Sequence, residues 1–144
     1  MSDTQTPEET PEKTGFSDPY LFIASLGGPS KEQIEAYKQS IPNGRLRVYT
    51  PDGKRAYIVR CISGLELGGI QKSLPPNCSN PEYDTSLAAG ALCTIWTNAS
   101  HDHKLSETGL RGGSAGLPST LWALILELSD FTPPDQFAYC SAEL

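Results

Sequence analysis

A leucine-rich segment near the end of the 144-residue chain constrains the fold more than any other feature. Its large aliphatic residues recur at i, i+3, i+4 and i+7, the spacing of one helix face: Leu121, Leu124, Ile125 and Leu128. A helix of this length gains most of its stability by packing that face against other elements. We therefore expect one hydrophobic core, built around a helix that starts near Leu117 and ends before Pro133.

Capping signals predict three further helices. Ser30 and Gln33 form a capping box that begins a helix ending near Ser40, and a second box starts a helix at Ser63. Asn80, followed by proline, starts a long helix whose apolar face continues to Asn98.

The β structure is predicted in one place. Residues 46–50 and 56–61 are rich in β-branched and aromatic residues and flank a turn that contains Pro, Asp and Gly. The short apolar run 20–26 is typical of a strand or a docking segment. The sequence thus predicts a mainly helical α+β domain with one β-hairpin.

Composition divides the chain into an arm, a domain and a tail. Residues 1–19 are rich in Pro, Thr and acidic residues, a composition that predicts disorder. Residues 20–131 are expected to form the single α+β domain, and residues 132–144 a C-terminal tail.

Charge and hydropathy exclude several classes of partner. The formal net charge is −6, which gives no global support to binding of nucleic acid or anionic lipid. No apolar run is long enough to span a membrane, and we expect neither a membrane helix nor a signal peptide. We expect a cytoplasmic protein that contacts neither nucleic acid nor membrane.

Catalytic and metal-binding patterns are weak. His101, Asp102 and His103 could offer metal ligands, but they fall in a predicted loop and no second ligand cluster completes a site. Cys93 could be paired with His103 as a nucleophile, yet it lies in an apolar helix where an inert thiol is expected. We therefore predict no enzymatic activity, no metal and no cofactor.

A basic cluster on the predicted hairpin is the one candidate for binding nucleic acid or an acidic peptide. It consists of Arg45, Arg47, Arg55 and Arg60. We interpret it as a solvated strand face, with binding of the acidic arm as an alternative.

Several short motifs resemble those of phage tail assembly chaperones and related baseplate-hub assembly proteins. The similar segments span residues 29–131: PSKEQIE at 29–35, RVY at 47–49, YIVR at 57–60, SGLE at 63–66, AGLPSTL at 115–121 and ILELSDF at 125–131. Asp130 stands where the family pattern has glycine, and residues 1–19 and 132–144 lie outside it.

The resemblance implies a non-enzymatic assembly factor. It would bind tape-measure, tube or baseplate-hub proteins in the host cytoplasm while the tail is built. The alternative is a permanent component of the phage tail or baseplate, held in the virion by its N-terminal arm.

We expect the partner-binding residues on the outer edge of the last helix. Trp122 and Leu126 are spaced i and i+4 beside the core-facing stripe and would form a second apolar edge. Leu117 and Phe131 extend this predicted site, which would bind a tail protein or a second copy of the chain.

Overall fold

A computed structural model describes residues 18–41, 43–130 and 140–144. These residues form six helices: α1 (Pro19–Ser25), α2 (Lys31–Gln39), α3 (Gly64–Ser73), α4 (Pro81–Cys93), α5 (Glu107–Arg111) and α6 (Gly116–Leu128). They also form four strands: β1 (Leu46–Tyr49), β2 (Tyr57–Arg60), β3 (Thr94–Thr97) and β4 (Ser141–Glu143). The α+β class is confirmed.

The helix starts follow the predicted caps. The Ser30 hydroxyl accepts a hydrogen bond from Gln33 N at 3.2 Å, and the Gln33 side chain accepts one from Ser30 N at 2.8 Å. The capping box of Ser63 has both bonds as well, and the Asn80 side chain accepts from Tyr83 N. These side chains satisfy backbone N–H groups that the first helical turn leaves without partners.

The strands form one antiparallel sheet in the order β3-β2-β1-β4. β1 and β2 are the interior strands, paired with Val48 opposite Ile58. Ile58 also lies opposite Trp96 of β3, so these three side chains share one face. Both faces are covered, because β1 and β2 are buried at every position except the partly buried Arg47 and Arg60.

Helices cover the two faces from opposite sides. α4 and α6 pack on each other and on β2, and Glu127 of α6 reaches Arg47 on that face. On the other face, Gly28 after α1 lies close to Trp96: a Cβ at Gly28 would be 3.0 Å from the ring and 2.5 Å from Ile23 Cγ2. The core therefore has two parts, one on each side of the sheet.

Three sequence predictions about secondary structure are wrong. Residues 20–26 belong mostly to a helix, since the Asp18 carboxylate accepts from Tyr20 N and Leu21 N at 3.1 Å and caps α1. The helix expected to reach Asn98 ends at Cys93, and the β-branched and aromatic residues after it pair with β2 as β3.

The third error concerns the C-terminal tail. The predicted hairpin is present as β1 and β2, but the tail predicted over residues 132–144 is not separate from the domain, because residues 141–143 pair with β1 as β4. The main-chain oxygen of Leu144 accepts from Tyr20 Oη at 2.8 Å and Lys38 Nζ at 2.6 Å. The arm predicted to be disordered covers residues 1–19; residues 1–17 lie outside the described residues, but the prediction is wrong for the last two, since Asp18 caps α1 and Pro19 begins it.

An arginine–glutamate pair joins β2 to α3. Arg60 donates to both carboxylate oxygens of Glu66 at 3.0 and 2.9 Å, and Glu66 also accepts from Ser63 N at 3.0 Å. The Arg60 hydrogen bonds, helped by Ser63 N and opposed by burial, lower the pKa of Glu66 from 4.5 to about 2. The ionised carboxylate thus stabilises the fold.

We predict that Glu66→Gln lowers the free energy of unfolding at neutral pH by about 1.5–3 kcal/mol, since it removes a charged hydrogen-bond acceptor. Because the folded-state pKa is the lower one, the carboxylate's contribution is complete above pH 4.5 and is lost as the pH falls towards about 2. Urea denaturation of the parent and the Glu66→Gln variant should show that the difference between their free energies of unfolding shrinks as the pH falls from 4.5 towards about 2. A difference that does not change with pH would contradict this assignment.

Candidate functional site

A groove between three helices contains two of the predicted binding residues. It comprises two adjoining depressions of about 390 and 400 Å³. Trp122, Leu126 and Glu82 line both depressions and therefore lie at their shared boundary. The first is completed by Asn80, Tyr83, Ser86, Ser119 and Ala123, and the second by Leu67, Gln71, Leu74, Pro81 and Thr85. We call this the α3–α4–α6 groove.

The core positions the floor of the groove. Leu121, Leu124 and Ile125 of α6 are fully buried, which fixes the rotation of the helix. Trp122 and Leu126 then fall on the flank of α6, one turn apart and only partly buried. Helical spacing predicts this division between a buried core stripe and a second, partly buried apolar edge.

The N-terminus of α4 forms the opposite wall. The Asn80 cap and Pro81 set the first turn, from which Glu82 lines the groove and Tyr83 packs against the core. α3 closes one end through Leu67 and Leu74. The predicted site did not include these residues of α3 and α4. No local sequence pattern indicates that these two helices pack beside α6.

The groove carries one charged side chain. Glu82 is exposed, and no ion pair involves it within the described part of the chain. The nearby Asp84, by contrast, accepts from Cys78 Sγ at 2.8 Å and from Arg111 at 3.4 Å, and these hydrogen bonds lower its pKa. Glu82 lies in the first turn of α4, where the helix dipole favours a negative charge, and it offers a carboxylate without an ion-pair partner among the described residues beside an apolar surface.

The other two predicted residues do not join this groove. Leu117 lines two smaller depressions, of about 170 and 220 Å³, on another side of α6, one with Tyr49 and one with Tyr57, and Arg55 lines both. Phe131 lies outside the described residues. The groove thus contains Trp122 and Leu126 but not Leu117, because Leu117 lies five residues before Trp122, more than one turn, and therefore on a side of α6 that borders the β-hairpin.

The arginines of the hairpin are each held by a carboxylate. The pairs are Arg45–Glu143 at 3.1 Å, Arg47–Glu127 at 2.8 Å, Arg55–Asp52 at 3.0 Å and Arg60–Glu66 at 2.9 Å. The hydrogen bond to Glu143 raises the pKa of Arg45, and that to Asp52 raises the pKa of Arg55. The cluster is therefore largely neutralised within the fold.

The histidine and cysteine candidates have structural contacts. His103 stacks on Trp96 with ring centroids 5.8 Å apart, and its Nδ1 lies 3.1 Å from the Thr97 carbonyl oxygen. Burial raises the pKa of Cys93 to about 12, which keeps it a neutral thiol at physiological pH. Among the described residues, no group of three or more His, Cys, Asp or Glu side chains could hold a metal ion.

A second surface was missed by the sequence analysis. Tyr37, Ile95 and Leu65 border a depression of about 470 Å³ beside the Arg60–Glu66 pair. Leu65 is 90% exposed, the largest exposure of any large apolar side chain described. Leu65 lies in the first turn of α3, beside the Ser63 cap, and belongs to no periodic apolar pattern that could have predicted this surface.

Comparisons with protein-family models, curated proteins and solved structures found no match. Within residues 18–41, 43–130 and 140–144, no helix has the length and hydropathy needed to cross a membrane.

We predict that replacing Trp122 and Leu126 together by serine leaves the melting temperature within a few degrees of the parent, because both side chains are only partly buried. The matched control is Leu124→Ala on the same helix, a fully buried position where truncation should cost about 2–5 kcal/mol. Thermal unfolding followed by circular dichroism measures both. If the double variant unfolds like the control, the pair belongs to the core and the site is wrong.

Proposed function

We propose that the protein is a non-enzymatic assembly factor of a phage tail or baseplate, and that it binds a tape-measure, tube or baseplate-hub protein in the α3–α4–α6 groove. The motif resemblance over residues 29–131 supports the biological setting. The observation that carries the binding role is the pair of partly buried apolar side chains, Trp122 and Leu126, at the boundary of two open depressions.

Physical features of the groove favour protein binding. Large apolar anchors such as tryptophan dominate the energy of protein interfaces when they are desolvated at the centre. Here the anchors are surrounded by polar side chains, including Asn80 and Gln71, as the rim of an interface is. Two shallow depressions in series suit the side chains of a protein segment better than one compact small molecule.

The experiment is co-purification of the full chain with tail proteins encoded beside it. We expect a tape-measure, tube or hub protein to co-purify in stoichiometric amount. Replacing Trp122 and Leu126 by serine should abolish this, since each anchor contributes on the order of 2 kcal/mol. Leu65→Ser, at an exposed position outside the groove, is the matched control and should bind like the parent. Absence of any tail protein, or equal binding by the double variant, would contradict the proposal.

Mass spectrometry of purified particles separates assembly from permanent incorporation. An assembly factor is absent from mature tails, whereas the alternative structural component is present in a fixed ratio to the tube protein. The proposal predicts absence.

A further inference from the structure

The charge and shape of the α3–α4–α6 groove define the chemistry of its occupant. We infer that it binds an amphipathic helix of the partner, which places two large apolar side chains in the two depressions and a lysine or arginine against Glu82. This inference rests on the proposed function, because it specifies the segment that the same groove would hold.

The shared boundary of the two depressions determines how the apolar side chains of the bound helix must be spaced. Trp122 and Leu126 stand between the two depressions, so an occupant must place one side chain on each side of them. Side chains three or four residues apart on a helix lie about 5–6 Å from each other at Cβ and project from one face. A helix with apolar residues at this spacing can straddle the boundary without bending.

A helix fits the walls better than an extended strand. The groove is lined by α3, α4, α6 and the cap of α4, and no strand of the described sheet contributes to it. Strand addition needs a row of free main-chain N–H and C=O groups, which the sides of hydrogen-bonded helices do not offer. Recognition must therefore come from side chains, as it does when a helix docks in a groove.

The charge of the occupant follows from Glu82. This carboxylate is the sole charged side chain among the groove-lining residues and has no ion-pair partner within the described ranges. It also lines both depressions, so a cation within one turn of the apolar pair would reach it. Opposite charge at such a rim favours the correct partner and repels acidic segments.

A second copy of this chain fits the groove poorly. A symmetric dimer uses the same patch on both subunits. Each copy would then bring an unpaired Glu82 into one apolar interface, without a cation from the groove to balance it. Because the chain has a net charge of −6, general electrostatics also oppose self-association.

The test is selection from a displayed library of helical peptides of about 20 residues, long enough to form the helix on binding. Immobilised full-length protein should enrich peptides with large apolar residues three or four apart and a Lys or Arg within one turn. Selection on Glu82→Lys should instead enrich Asp or Glu at that place. Peptides enriched on the parent without a basic residue, or no enrichment at all, would overturn the inference.

Fluorescence anisotropy, with the peptide that is most enriched on the parent protein, measures how much Glu82 contributes to the binding affinity. Glu82→Lys should weaken binding about tenfold, and the loss should shrink at high salt. Glu32→Lys changes the net charge equally on α2, away from the groove, and should bind like the parent. Equal affinity of the Glu82 variant, or undiminished binding by Trp122→Ser, would overturn the inference. The inference would also be overturned if the parent protein formed a concentration-dependent dimer and Trp122→Ser made it monomeric.

The two proposals fail in different ways. If a tail protein co-purifies equally with the parent and with Glu82→Lys, the charge inference is wrong while the proposed function stands. If basic helical peptides bind in the groove but no tail protein co-purifies, the inference stands and the proposed function is wrong.

Discussion

The burial of β1 and β2 on both faces is the constraint on which the rest of the structure depends. With helices on either side, every side chain of these strands must be apolar or paired. Arg47, which is largely buried, meets this requirement at its two terminal nitrogens, which donate to Glu127 of α6 and to Ser141 Oγ at 2.8 Å, while its Nε is buried with no hydrogen-bond partner among the described residues. Arg60 meets it through Glu66 at the start of α3. The two charged positions of the interior strands thus join the sheet to α6 and α3, two of the three helices that line the groove.

Local signals identified the elements whose ends carry a cap. Ser30, Ser63 and Asn80 each start a helix as predicted, because their bonds connect residues three apart in sequence. α1 carries a comparable signal, Asp18 followed by proline, and could have been found from it. β3 could not be separated from α4 by periodicity, since its apolar residues continue the helical face. What makes it a strand is pairing with β2, a contact distant in sequence.

The same distinction explains what could be predicted of the candidate site. Trp122 and Leu126, which lie one turn apart beside the core stripe, could be predicted as an apolar edge from their spacing, and both line the groove. Glu82 and Leu74 were not found, because their contribution depends on how α3 and α4 pack against α6. Leu117 was misplaced for a related reason: helical spacing gives the face of a helix but not which neighbour covers each part of it.

Site-specific photo-crosslinking tests the central claim, partner binding in the α3–α4–α6 groove, most directly. A photoreactive phenylalanine analogue at Ser119, which lines the groove, is compared with the same analogue at Leu65, which borders the other depression. In cells producing the tail proteins, the account predicts a cross-link to one tail protein from position 119 and none from position 65. Cross-links from position 65 alone would show that the partner binds at the other depression and would contradict partner binding in the groove.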